Sequence, residues 1–247
     1  MKKLLILPLL MVSVSGYSAQ CRVDINHEVH LDGQHLEIQR STGDKAWLDN
    51  DNNLFINGEP LELNAGQTAA LEDYREKITA YLPQARQLAS NGLAVAHDVI
   101  DDIAVSLDAP EAFNNVKVAI NAFYADVEAR YYQNGDFILP AASFESMSES
   151  WRADLANAQE IFHKEFITSA FEVLAAKMRE DGDLNLTELS ERMLELKVKV
   201  AQRLAENAKT MQLQAESLCD SVERMAEQEQ HLQQLIPELK NYQVFSI

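Results

Sequence analysis

Glycine and proline are scarce in this chain, eight and six among 247 residues, and the stretch from Leu186 to Ile236 contains neither. No linker, low-complexity tract or internal repeat can be drawn from such a composition. Cysteine is scarcer still: only Cys21 and Cys219 are present. No CxxC or HExxH exists, which removes a thioredoxin-like redox centre and a zinc metalloprotease. A Gly-rich phosphate loop and a G-x-S-x-G nucleophile elbow are missing as well. Positive charge is short, 21 Lys and Arg against 39 Asp and Glu, for a formal net charge of −18. Phosphate backbones and anionic headgroups repel such a chain, which argues against nucleic acid and lipid surfaces as partners. Past the N-terminus no apolar run reaches the roughly 18 residues needed to span a bilayer.

What is present is a long helical repeat. Apolar residues recur at Leu189, Met193, Leu196, Val200, Leu204, Ala208, Met211, Ala215, Leu218, Val222 and Met225, then at Leu232 and Ile236. Steps of three and four place them on one helical stripe. At about 1.5 Å per residue this helix, 186–236, extends roughly 75 Å. Its stripe from Leu186 to Met225 is expected to be buried against three earlier helices. Beyond Met225 the stripe thins, so the distal part, with the YQVFSI tail, is the expected partner contact or self-association seam. A chain ending at Gln230 is then expected to stay folded and monomeric.

The N-terminus carries Lys2 and Lys3, an apolar run from Leu4 to Val14 and then small residues. That is a signal peptide, residues 1–19, cleaved after Ser18 or Ala19. Its loss removes two lysines and takes the net charge from −18 to −20. Ser18, Ala19 and Gln20 make a poor lipobox before Cys21, so a lipid anchor is not expected. The expected location is the periplasm of a Gram-negative bacterium, where an oxidising environment favours a Cys21–Cys219 disulfide. It would pin the mature N-terminus against the last helix. Closing so long a loop contributes roughly 5 kcal/mol in the chain-entropy treatment.

Residues 20–63 read as a small β-meander of about four strands. His35 to Gln39 alternates after Asp32-Gly33, and Asn57-Gly58 marks a hairpin between Asn53–Ile56 and Glu59–Leu63. Asn64 with Gln67 then opens a helix as a capping box. That helix continues to Leu107, with Pro83 expected to kink it and Gly92 to loosen it. Asp108-Ala-Pro-Glu111 restarts a second helix, which Asn134-Gly135 ends; Phe137 to Ala142 (FILPAA) follows as an apolar loop. Ser143 or Ser146 opens a third helix, broken at Asp181-Gly182-Asp183. Asn185 and Glu188, with Leu184 packed on Leu189, start the long helix. The fold class is α+β: a mainly α, antiparallel helical bundle (64–247) packed as one unit with its meander.

Several of these residues carry a resemblance. Cys21, the NLFINGEPLELNAGQ stretch from Asn53 to Gln67, Tyr74, the Leu82-Pro83 pair and the late Cys219 resemble the YggN-like family of exported bacterial proteins, clearest over 21–107. That family's function is unknown, so the resemblance implies a periplasmic setting and a similar fold, and no activity or catalytic residue.

Candidate chemistry is thin. Asp49, Asp51 and Asn53 suggest calcium, but Leu54 and Pro60 occupy the places where an EF-hand loop needs Gly and an acid, and Leu186 and Arg192 spoil Asp181–Asn185 in the same way. A strand turn and a helix cap explain the two better. His27, His30 and His35 with Asp32 could hold zinc or copper, yet His27 and His30 point to opposite faces of a strand. No catalytic, metal or cofactor site is expected. The aromatic residues Phe113, Phe123, Tyr124, Tyr131, Tyr132, Trp151, Phe162, Phe166 and Phe171 read first as core. The expected function is a non-enzymatic binding, scaffold or chaperone-like module of the cell envelope, since long amphipathic helices suit partner contacts. The alternative is a small-molecule or metal-dependent enzyme whose site gathers scattered acids and histidines. A deep polar pocket would favour the enzyme, and a long exposed apolar surface the binder.

Overall fold

The computed structural model describes residues 22–32, 35–182 and 185–247. The expected signal peptide (1–19), Cys21, and the Gly33, Asp183 and Leu184 of the turn and cap readings lie outside the described residues. The elements in chain order are β1 (Asp24–Ile25), β2 (Glu28–Leu31), β3 (Leu36–Gln39), β4 (Lys45–Leu48), β5 (Leu54–Ile56) and β6 (Glu59–Leu61). Helix α1 (Ala65–Ser106), α2 (Asn114–Glu128), β7 (Tyr132–Gln133), β8 (Asp136–Leu139), α3 (Phe144–Asp181) and α4 (Leu186–Leu235) follow. A 3-10 turn (Pro237–Tyr242) and β9 (Phe245–Ser246) close the chain. The class is α+β with a long C-terminal helix.

An antiparallel sheet runs β6-β5-β4-β3-β2-β8-β7. Asn57 and Gly58 have φ of 52° and 86°, the left-handed pair that a tight hairpin requires. Asn134 and Gly135 repeat this geometry at 54° and 95°. They therefore turn a hairpin, β7–β8, and do not merely end a helix. The FILPAA segment is corrected with them: Phe137 to Leu139 pair with Leu31 to Val29 of β2, and Ala142 bridges Ile25. The sheet is thus larger than the expected N-terminal meander, because a second hairpin from mid-chain completes its edge. The tail adds a separate ribbon, with Asp24 opposite Ser246 and Ile25 opposite Phe245.

Asn64 caps α1 through the expected box with Gln67. Pro83 lies inside α1 without ending it. The expected restart at Asp108 is corrected. Asp108 takes φ 50°, turns occupy the residues up to Phe113, and α2 begins only at Asn114 without a side-chain cap. Those turns drop Phe113 into the core, where it is fully buried. Ser143 caps α3, and Asn185 caps α4 by accepting from the amides of Thr187 and Glu188.

Helices α1 and α4 pair antiparallel along most of their length. Polar ties mark the register: Gln67 Nε2 to the Leu235 carbonyl at 2.7 Å, Asn91 to Gln214 at 3.1 Å and Arg203 to Asp102 at 2.9 Å. At one end, both helices and the inner sheet face build a cluster containing Val29, Leu36, Leu54, Ile78, Met225 and Ile236. At the other, α1, α2, α3 and the start of α4 enclose Ile100, Ile103, Phe113, Val116, Phe166 and Leu196.

Between these clusters α4 has no buried residue from Ala201 to Asp220. The expectation of a stripe buried from Leu186 to Met225 is therefore corrected. Leu189, Leu196, Val200 and Met225 are buried, Leu204 and Ala208 are exposed, and Met211, Ala215 and Leu218 are half-buried. A single neighbouring helix covers only part of a stripe that three would enclose. The distal expectation is corrected in the opposite direction. Leu232, Ile236, Leu239, Tyr242, Val244 and Phe245 are all buried, because the 3-10 turn folds the tail back between α4 and the sheet. The distal helix and tail thus contribute to the core, while Leu235 and Ile247 remain exposed.

Candidate functional site

The tail's return creates an unusual side-chain environment, a carboxyl buried among apolar residues. Glu229 lies on α4 between Met225 and Leu232 and is only 3 % exposed. Its Oε1 accepts from the Tyr74 hydroxyl of α1 at 2.5 Å, and its Oε2 accepts from the Phe245 backbone N–H of β9 at 2.8 Å. Burial dominates and pushes the carboxyl up to about 7, against the downward pull of the bonds from Tyr74 and the tail backbone. Burial also raises the Tyr74 phenol, and the adjoining Glu229 charge raises it further. Beside the pair lies a cavity of about 20 Å³, lined by Leu36, Trp47, Leu71, Leu232 and Tyr242 among others. That is room for roughly one water, too little for a substrate.

A larger recess opens between the β2–β3 hairpin, the β4–β5 turn and α1. This cleft of about 510 Å³ is lined by His35, Asn50, Asn52, Glu72, Arg75 and Thr79, with Glu76 and apolar neighbours. The His35 Nδ1 lies 2.9 Å from Asp32 Oδ2, and the ring meets Trp47 edge-on at 5.8 Å. A carboxylate at Nδ1 orients an imidazole and leaves Nε2 as the nitrogen able to accept a proton. Arg75 donates to the Asp49 carbonyl at 2.6 Å and the Asn52 side chain at 2.9 Å. It ties the β4–β5 turn down to α1.

The residues singled out from sequence fall into place around these sites. Asp49 accepts from the amides of Asp51 and Asn53, the turn role expected of it, and the Asn53 side chain foremost holds its carboxyl below the usual range. The histidines are dispersed: His30 pairs with Glu28 at 2.6 Å, His35 with Asp32, and burial lowers His27. Among the described residues no group of three or more His, Cys, Asp or Glu side chains could hold a metal ion. In the helical core Phe162 stacks on Phe166 at 5.0 Å, and Phe113 meets Phe166 at a tilt at 5.2 Å. Trp151 and Phe171 from the same aromatic set are exposed. Cys219 is half-buried, and Cys21 lies outside the described residues.

Sequence reasoning missed Glu229 and Tyr74. A signal existed: Met225, Glu229, Leu232 and Ile236 follow one another at steps of four, three and four, which sets an acid on the apolar stripe. In a helix crowded with surface acids that position passes for another solvated charge.

Exposed apolar side chains form the last feature. Trp151, Leu155 and Phe171 on α3 and Leu194, Val198, Leu204 and Leu213 on α4 face solvent, Leu194 at 63 % and Val198 at 61 %. The α4 group overlaps an inversion of charge. From Lys197 to Lys209 the bases Lys197, Lys199, Arg203 and Lys209 stand against the single acid Glu206. Among the described residues no helix is long and apolar enough to cross a membrane.

A family described as a protein of unknown function (DUF2884) matches residues 21–245. No curated protein and no solved structure matches the chain.

Proposed function

The chain belongs to this family of unknown function, and from that premise we propose that it is an exported, non-enzymatic binding or scaffold module of the cell envelope. One observation carries the reading: exposed Leu194, Val198 and Leu204 lie along the basic run Lys197 to Lys209 of α4, which passes from the helical core into the stretch where the helix has no buried residue. Exposed aliphatic groups among lysines suit a partner segment that offers both apolar and acidic side chains. The rest of this strongly acidic chain repels such a segment and confines contact to that stretch. The test is a photo-crosslinking residue at Val198 or Leu204, with Glu238 as an exposed control. Adducts at the first two positions alone support the reading, and equal or absent adducts overturn it.

The periplasmic setting rests on the signal-peptide pattern of residues 1–19. The Cys21–Cys219 bridge rests on the same export pattern, which delivers the chain's two cysteines to an oxidising compartment.

The enzyme reading is favoured by one observation, the Asp32–His35 pair at the mouth of the open cleft. It requires that wild-type protein deplete a polar small molecule from a metabolite pool and that His35→Ala fail to do so.

A further inference from the structure

The apolar groups exposed on α4 fall into a second repeat. Leu194, Val198, Ala201, Ala205, Ala208 and Gln212 follow one another at alternating steps of four and three, and all six are exposed. Such steps keep them within about a quarter turn of the helix. Arg203 and Gln214, which bond Asp102 and Asn91 of α1, lie on the other side, as do the buried Leu196 and Val200. The row is thus separate from the seam by which α4 packs inside its own chain. We propose that this face, which the reading above makes a partner contact, takes a second copy of the chain, with the two α4 helices antiparallel about a two-fold axis beside residues 202–204.

The row is self-complementary in that direction. Antiparallel pairing sets Leu194 opposite Gln212 of the second copy, Val198 opposite Ala208 and Ala201 opposite Ala205. Leu204, 46 % exposed on one flank of the row, then meets Leu204 of the second copy across the axis. On the other flank Glu195 meets Lys209 of the second copy, and the symmetry makes that ion pair twice. A parallel pair in register sets Lys197 against Gln202 and Leu204 against Lys209, and gains no ion pair. The alanines at the centre let the two helices approach closely.

Charge places the contact on this stretch. Over 191–216 the five bases Arg192, Lys197, Lys199, Arg203 and Lys209 stand beside the four acids Glu191, Glu195, Glu206 and Glu216. Two copies therefore approach along it without the repulsion that their acidic surfaces impose elsewhere. Past Gln212 the same face carries Glu216, Glu223 and Glu227, which ends the apolar contact. A seam of roughly 28 Å belongs with the small, reversible interfaces.

Sedimentation of the full chain purified from the periplasm, from about 1 µM to 1 mM, should show the mass rise from one chain towards two. Glu195→Lys and Lys209→Glu each turn two attractions into two repulsions, and each should weaken association about tenfold. Together they exchange the charges and should restore it to within about threefold of wild type. Both residues are exposed, so the variants should keep the wild-type melt. The mass of a single chain at every concentration overturns the self-pairing, and a double variant that does not recover overturns the antiparallel register. A photo-crosslinking residue at Leu204 in the purified chain should join two copies. Adducts from Val198 or Leu204 to a different protein, with the purified chain monomeric, overturn the self-pairing and leave the contact reading standing; no adduct of either kind overturns both.

Discussion

Ending the chain at Gln230 removes five residues of α4 and the whole tail beyond it. Six side chains buried in the sheet-proximal cluster leave with them: Leu232, Ile236, Leu239, Tyr242, Val244 and Phe245. Burying a large apolar side chain contributes about 1.5–3 kcal/mol, so the six together contribute on the order of 10–15 kcal/mol. A domain's entire stability is about 5–15 kcal/mol. The cut also removes Leu232, Leu239 and Tyr242 from the cavity wall they share with Leu71 of α1 and leaves Glu229 without its Phe245 donor. The truncated chain should lose its cooperative melt in circular dichroism and sediment as an aggregate or an expanded species. Ile236→Ala offers a graded version, since that side chain is fully buried, and should cost about 2–5 kcal/mol. A truncated protein that melts cooperatively as a compact monomer would refute the placement of the tail in the core.

Three further outcomes are expected. Gly92→Ala places a Cβ 3.5 Å from Met211 Cε, an ordinary contact; the gain in helix propensity should stabilise by about 0.5–1 kcal/mol, read as a rise in Tm. Gly135→Ala meets nothing within 4 Å but must hold φ +95°, so a cost of about 1–2 kcal/mol from backbone strain alone should appear in denaturant melts, and no cost would speak against the β7–β8 turn. Intact mass of periplasmic protein should lack residues 1–18 or 1–19, and thiol labelling under denaturing, non-reducing conditions should find no free sulfhydryl. Diacylglycerol on Cys21, or two reactive thiols, would count against the export and disulfide readings.

Local chemistry determined the features legible in the sequence. The Asn64–Gln67 box, the Asn185 cap, the Asn57-Gly58 hairpin and the bounds of α4 each depend on residues a few positions apart, whose hydrogen bonds are satisfied wherever the segment lies. Asn134-Gly135 shows the limit of that legibility. The same dipeptide can stop a helix or turn a hairpin, and the choice was made by β2, a hundred residues earlier, whose free edge accepted Phe137 to Leu139.

Only the tertiary structure decided which apolar stripe is covered. Periodicity reports that a helix has an apolar face but carries no count of the neighbours available to bury it. From Ala201 to Asp220 α4 has too little cover to bury a residue, whereas beyond Met225 the returning tail and the sheet enclose a stretch that reads as polar. Glu229 changes from a surface acid into a buried joint for the same reason. Its environment is assembled from Tyr74, 155 positions away, and from a tail that reaches it only once the chain has folded back. Burial belongs to the assembled layers, and no residue's own chemistry contains it.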